Sequence, residues 1–198
     1  MALEREIRGF INSKSDFEFF IKTFQSQDYK YKFVQRLSIV AGDYLQRDLE
    51  TRLRISNGKI TLVQKKGDIG ATSRDEIEME LDLNAEQFKE LALMINNLSL
   101  KISDSYCFLA RHDNHIFKSN NMEIKLFKQY AKGEFYGYEV EINDISENEL
   151  EKTVKDLGFE IDKNFDEDSI VRHRNSEINY PLGEIKEKEL LDIIRLYY

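Results

Sequence analysis

Between Glu50 and Leu81 polar and apolar residues change places at almost every step, and a period of two is the signature of strand, since successive side chains point to opposite faces. One parity gives Glu50, Arg52 and Arg54, then Thr61, Val63 and Lys65, then Arg74, Glu76, Glu78 and Glu80. The other gives Thr51, Leu53 and Ile55, then Ile60 and Leu62, then Ile77, Met79 and Leu81. Each run therefore has an ionic face and an apolar face, and a glycine stands in each candidate turn. A chain built this way folds as antiparallel sheet with its apolar side against something else.

The rest of the chain repeats the theme. Leu3, Arg5 and Ile7 oppose Glu4, Glu6 and Arg8 in a first short strand over residues 2–11. Residues 12–27 read as a helix that Ser13 or Ser15 can cap, with Phe17, Phe20, Ile21 and Phe24 as its apolar stripe. Residues 30–40 are rich in aromatic and β-branched side chains and read as strand. Asn84 caps a helix over 85–97, and Tyr106 to Phe117, Met122 to Tyr130 and Tyr136 to Ile142 are three further strands. Ser146 to Glu149 has capping-box spacing and opens a helix that Gly158 ends. Residues 184–196 read as a closing amphipathic helix. The expected fold class is α+β, with about eight antiparallel strands closing into a barrel, because closure removes exposed edges. One domain over 1–198 is expected, with the barrel in 1–145 and a helical segment in 146–198.

Composition narrows the function. A net charge of −8 argues against non-specific nucleic-acid binding through phosphate neutralisation, though it allows a local basic site. Cys107 is the only cysteine, which excludes an intrachain disulfide and a thiolate metal cluster and suits a reducing cytoplasm. The start lacks the apolar core of a signal peptide, and no run is long enough to span a membrane, so a cytoplasmic protein without membrane partners is expected. His112 and His115, three apart, fall on opposite faces of a strand and are expected to be exposed and structural. His173, between Arg172 and Arg174, reads as part of a solvated basic loop. Gly67 and Gly70 do not make a P-loop.

Same-parity charges of both signs recur on most strands: Glu4, Glu6, Arg8; Arg52, Arg54; Lys65; Arg74, Glu76, Glu78; Arg111; Glu123, Lys125; Glu139, Glu141. Periodicity admits two readings of this face. One is a solvated sheet surface with cross-strand ion pairs of little energetic weight. The other is a hydrated channel in which a highly charged ligand and metal ions compensate charges that would be costly to bury unpaired.

These residues also resemble a known family. Glu4-Arg5-Glu6-Ile7-Arg8 is similar to the N-terminal ExExK signature of the CYTH superfamily, the triphosphate tunnel metalloenzymes, with arginine for the final lysine. Arg52-Leu53-Arg54 resembles the family's RxR strand, and Lys65 its next-strand lysine, although the typical threonine-x-lysine reads Val63-Gln64-Lys65. Ser73 to Glu78 resembles the RxExE strand, Arg111 the arginine of the next hairpin, and Glu139-Val140-Glu141 the late ExE strand. The resemblance runs from Glu4 to about Ile142. Two departures bear on substrate and metal number: Lys125 stands where an acidic residue is usual, and Leu109 where some members carry a lysine.

The resemblance implies a metal-dependent hydrolase of tripolyphosphate or of an organic or nucleoside triphosphate, with Mg²⁺ or Mn²⁺ as cofactor. It implies Glu4, Glu6, Glu139 and Glu141 as metal ligands, with Glu76 or Glu78 contributing or positioning water. Arg8, Arg52, Arg54, Lys65, Arg74, Arg111 and Lys125 would hold the phosphates, and catalysis would rest on Glu4, Glu6, Glu78 and Lys65. A class IV-type adenylyl cyclase and a non-catalytic polyphosphate- or nucleotide-binding barrel are the alternatives. A homodimer is left open.

Overall fold

The computed structural model describes residues 4–44, 49–67, 75–102, 104–161, 170 and 172–198. In chain order its elements are β1 (Glu4–Phe10), α1 (Lys14–Gln25), β2 (Lys30–Asp43), β3 (Leu49–Ser56), β4 (Lys59–Lys66), β5 (Asp75–Leu81), α2 (Ala85–Ser99), β6 (Ser105–Lys118), β7 (Met122–Tyr130), β8 (Glu134–Asn143), α3 (Glu147–Asp156), β9 (Tyr180–Pro181) and α4 (Glu187–Arg195). Single turns of π- and 3₁₀-helix flank β9. The strands form one nine-stranded sheet in the order β1-β8-β7-β6-β2-β3-β4-β5, with β9 added to β6. The pairings of β1 with β8, of β2 with β3, of β3 with β4 and of β4 with β5 are antiparallel. Among the described residues no helix is long and apolar enough to cross a membrane.

Local chemistry explains the element ends. Ser13 accepts from the Asp16 backbone N–H at 3.1 Å and starts α1. Asn84 with Gln87, and Ser146 with Glu149, form reciprocal capping boxes at the starts of α2 and α3. Gly158, at φ +91°, ends the last of these. β3 and β4 are joined by Asn57 and Gly58, both with positive φ, the two-residue turn whose twist matches antiparallel strands. That turn fixes the register in which Ser56 opposes Lys59 and Arg54 opposes Thr61.

The antiparallel α+β fold expected from the sequence is the fold observed; the closed barrel is not. Among the described residues the sheet ends on β1 at one side and β5 at the other, without a pairing between them. Closure requires a second strand along β5, and β5 is exposed from Asp75 to Glu80. Its apolar parity is likewise open: Ile77 is 69% and Met79 52% exposed, where the alternation predicts burial. The alternation is present, but no helix covers this edge among the described residues.

By contacts the chain divides into two compact units. The first comprises Met1–Val34, Asp113–Gln129 and Phe135–Asp166. Its core joins Phe17 and Phe24 of α1, Phe117, Ile124 and Leu126 of β6 and β7, Tyr138 and Val140 of β8, and Leu150 and Val154 of α3. Tyr138 is fully buried, stacks on Phe159 at 4.1 Å and donates its hydroxyl to the Glu160 carbonyl at 2.6 Å. A Cβ at Gly9 would lie 2.4 Å from that ring, so β1 can cross it only with glycine there. The second unit comprises Gln35–His112, Tyr130–Glu134 and Glu167–Tyr198. Its core packs Leu37, Ile39, Leu53 and Ile55 of the sheet against Phe88 and Ala92 of α2 and Leu190 and Ile194 of α4. Each such side chain contributes about 1.5–3 kcal/mol by leaving water, which holds the apolar face inward and commits the other parity to the opposite side of the sheet.

Candidate functional site

In the first unit the register places like parities opposite each other: Glu6 faces Glu141 and Arg8 faces Glu139 across β1 and β8. Glu4 takes the position opposite Asn143; its side chain lies outside the described residues. Arg8 binds the Glu6 carboxylate through Nε and Nη2 and lies 3.8 Å from Glu139 Oε1. Lys125 Nζ binds the other oxygen of Glu139, and its ammonium stands 5.5 Å from the Phe127 ring. Lys118 pairs with Glu123, which together with Glu141 raises the lysine pKa against the opposing effect of desolvation. Glu6, Arg8, Lys125, Glu139 and Glu141 thus form one mixed-charge patch.

The second unit carries a patch richer in cations. Arg52 and Arg54 alternate with buried Leu53 and Ile55 on β3. In register, Glu50 opposes Lys65, Arg52 opposes Val63 and Arg54 opposes Thr61 on β4, while Lys65 opposes Glu76 and Val63 opposes Glu78 on β5. Lys65 Nζ lies 2.7 Å from Glu76. Burial alone would raise the Glu76 carboxyl, but the hydrogen bond and charge of Lys65, with Arg54 and Arg52 behind, hold it below the usual carboxylate range. Arg54 is pushed down to about 10 by burial first and then by the charges of Arg52 and Arg36, against the pull of Glu76 and Glu78. Arg36, Arg52, Arg54 and Lys65 together make this face locally cationic.

Two further members of this patch escape a motif search. Arg36 on β2 opposes Ser56, donates to its hydroxyl at 3.0 Å and shares the face of Arg54. Its signal was the alternation of Arg36 and Ser38 with Leu37 and Ile39. Glu50, only 6% exposed, binds Arg52 and accepts from the Tyr106 hydroxyl at 3.2 Å.

Arg111 of β6 meets two tyrosines. Its Nε donates to the Tyr197 hydroxyl at 2.8 Å, and its guanidinium lies 4.7 Å from the Tyr130 ring centre. It shares its strand parity with Cys107 and Leu109, which belong to the apolar core. Arg74 lies outside the described residues. His115 is half-buried, not exposed: Tyr31 hydroxyl meets its Nδ1 at 2.8 Å, and the rings of Phe17 and Phe33 lie 5.8 and 5.0 Å away. His173 is exposed, while Arg172 beside it stacks over Tyr44 at 4.6 Å.

The carboxylates have the hard oxygens that Mg²⁺ and Mn²⁺ prefer. Among the described residues, however, no three acidic, histidine or cysteine side chains converge to hold an ion. Glu6 and Glu139 are bound by Arg8 and Lys125. The described donor set is therefore not a preformed divalent-cation site.

No family model and no curated protein matches the chain by sequence. Solved structures do match its fold. HpAC1 from Hippeastrum, an adenylyl cyclase candidate described as having a dominant triphosphatase activity, superposes with a TM-score of 0.57 at 16% identity, covering 87% of this chain and 95% of that one. A Bacillus halodurans protein described as an adenylate cyclase candidate gives 0.57 at 18% identity, covering 86% and 96%. The RNA triphosphatase domain of a mimivirus mRNA capping enzyme gives 0.53 at 13% identity, covering 78% and 87%. The chain shares its fold with these three proteins.

Proposed function

We propose that this chain is an enzyme that binds a triphosphate and hydrolyses its terminal phosphoanhydride bond. The observation that carries the reading is that Arg36 of β2 and Arg52 and Arg54 of β3 share one face of the sheet, with Lys65 of β4 beside them. A polyanion adds charge-assisted hydrogen bonds to a face that carries these arginines, and phosphate oxygens match the guanidinium fork. Structures of the same fold with described triphosphatase activity support the same reading.

In this reading Arg52, Arg54 and Lys65 hold the phosphate oxygens and stabilise charge on the transferring group. Water attacks the terminal phosphorus, the bridging P–O bond breaks, and orthophosphate leaves from the shortened chain. Glu78, on the face of Lys65 and Arg54, is the carboxylate assigned to orient that water. Arg8, Lys125, Glu6, Glu139 and Glu141 form the second set whose substitution should alter turnover. Mg²⁺ or Mn²⁺ belongs to the reading as an added component: Glu6 and Glu139 would have to exchange Arg8 and Lys125 for it.

Incubation with tripolyphosphate and with ATP, in Mg²⁺, in Mn²⁺ and in chelator, tests the proposal. Orthophosphate release is expected. Pyrophosphate with cyclic AMP would replace hydrolase by cyclase, binding without turnover would leave a polyphosphate-binding protein, and no binding under any condition would end the reading.

A further inference from the structure

We propose that Glu50 is a positioning residue that fixes which edge of Arg52 meets the anion, an inference that rests on the triphosphate reading of this face. Glu50 lies on the same strand face as Arg52 and Arg54, opposite Gly42 of β2 and Lys65 of β4. It is among the few charged side chains that the structure buries. Arg52 places both Nε and Nη2 on Glu50 Oε1, and the Tyr106 hydroxyl donates to Oε2 at 3.2 Å. A Cβ at Gly42 would stand 2.5 Å from that hydroxyl, so the glycine is what lets the phenol reach the carboxylate.

The consequence follows from guanidinium geometry. Arginine has five N–H donors in a rigid plane. Glu50 occupies the Nε edge, which leaves both hydrogens of Nη1 and one of Nη2 for ligand oxygens. The bound edge also removes rotamer freedom that a lone arginine would have to lose on meeting its ligand. Tyr106 holds the carboxylate from the other side, so the order is phenol, carboxylate, guanidinium, anion. An acid placed in an anion site merely as a counter-charge would compete with the ligand; one that holds the working edge of an arginine should help it.

Calorimetric titration with tripolyphosphate at fixed ionic strength decides between these. Glu50→Ala is expected to weaken binding about tenfold, and Glu50→Gln, whose amide oxygen still accepts from Nε and Nη2, about threefold. Arg52→Ala should weaken it at least as much as Glu50→Ala, and the double variant no further, because the contribution of Glu50 passes through Arg52. Tyr106→Phe should lose affinity in the native background and none in Glu50→Ala. Circular dichroism establishes that each variant is folded; if Glu50→Ala is not, the Gln and Phe variants carry the same comparison. Affinity unchanged or increased on loss of Glu50, or additive losses with Arg52→Ala, overturns the proposal. Native protein that fails to bind tripolyphosphate refutes the triphosphate reading itself.

Discussion

Glu6 and Glu141 face each other directly across β1 and β8, two carboxylates at one rung of an antiparallel ladder. Like charges so placed cost the fold a few tenths to about 1 kcal/mol, and the next rung on the same face, Arg8 opposite Glu139, carries the compensating charge. A rung that works against stability is a candidate for function. Glu141→Gln is expected to leave the melting temperature within about 4 °C of native and to lower orthophosphate release at least about 100-fold. Full activity in the folded variant would remove Glu141 from the site.

Arg54 is held where its own charge is disfavoured, by burial and by Arg52 and Arg36. Replacing it with methionine should therefore raise the melting temperature, because the fold no longer shelters a crowded cation. The same change should weaken tripolyphosphate binding by about tenfold or more. Differential scanning calorimetry and titration on one preparation check both signs; loss of stability together with unchanged affinity would make Arg54 structural.

Arg111 donates to Tyr197 and stacks over Tyr130 on the side of the core. Arg111→Met is expected to cost about 1–2 kcal/mol of stability from the lost charged hydrogen bond and to change tripolyphosphate affinity less than about twofold. A tenfold loss of affinity would return Arg111 to the anion-binding set.

β8 passes close to its neighbours at Gly137: a Cβ there would meet the Phe127 ring at 2.5 Å and the Gly9 carbonyl at 3.0 Å. Gly137→Ala should destabilise by about 1–3 kcal/mol, the cost of overpacking. Chemical denaturation would detect it as a lower midpoint at unchanged slope; an unchanged midpoint would show that the ring moves aside.

His115 is enclosed by Tyr31, Phe33 and Phe17, and burial lowers its pKa more than the nearby Asp113 raises it. The unfolded chain then takes up a proton at about pH 6.5 that the folded chain accepts only at lower pH. Stability is full above that value and falls with pH through the window just below it. Native protein compared with His115→Gln at pH 7.5 and 5.5 should show a smaller acid loss in the variant. An equal loss in both would place the sensitivity elsewhere.

The sequence by itself determined the alternation of β3 and β4, the caps at Asn84 and Ser146, a serine cap at 13 or 15, and the stop at Gly158, because each depends on neighbours a few residues away. It also placed Arg52, Arg54, Lys65 and Glu76 on one face, since strand parity and a two-residue turn are local. The tertiary structure alone decided the rest. In Tyr106 to Ala110 both parities are apolar, so nothing in the sequence said to which side Arg111 would turn; packing against the C-terminal helix and Tyr197 decided it. Glu50 reads as one more charge on a polar face until Tyr106, 56 residues away, meets its carboxylate. β5 alternates as well as its neighbours, yet Ile77 and Met79 stay exposed, because burial is set by what another part of the chain brings to the strand.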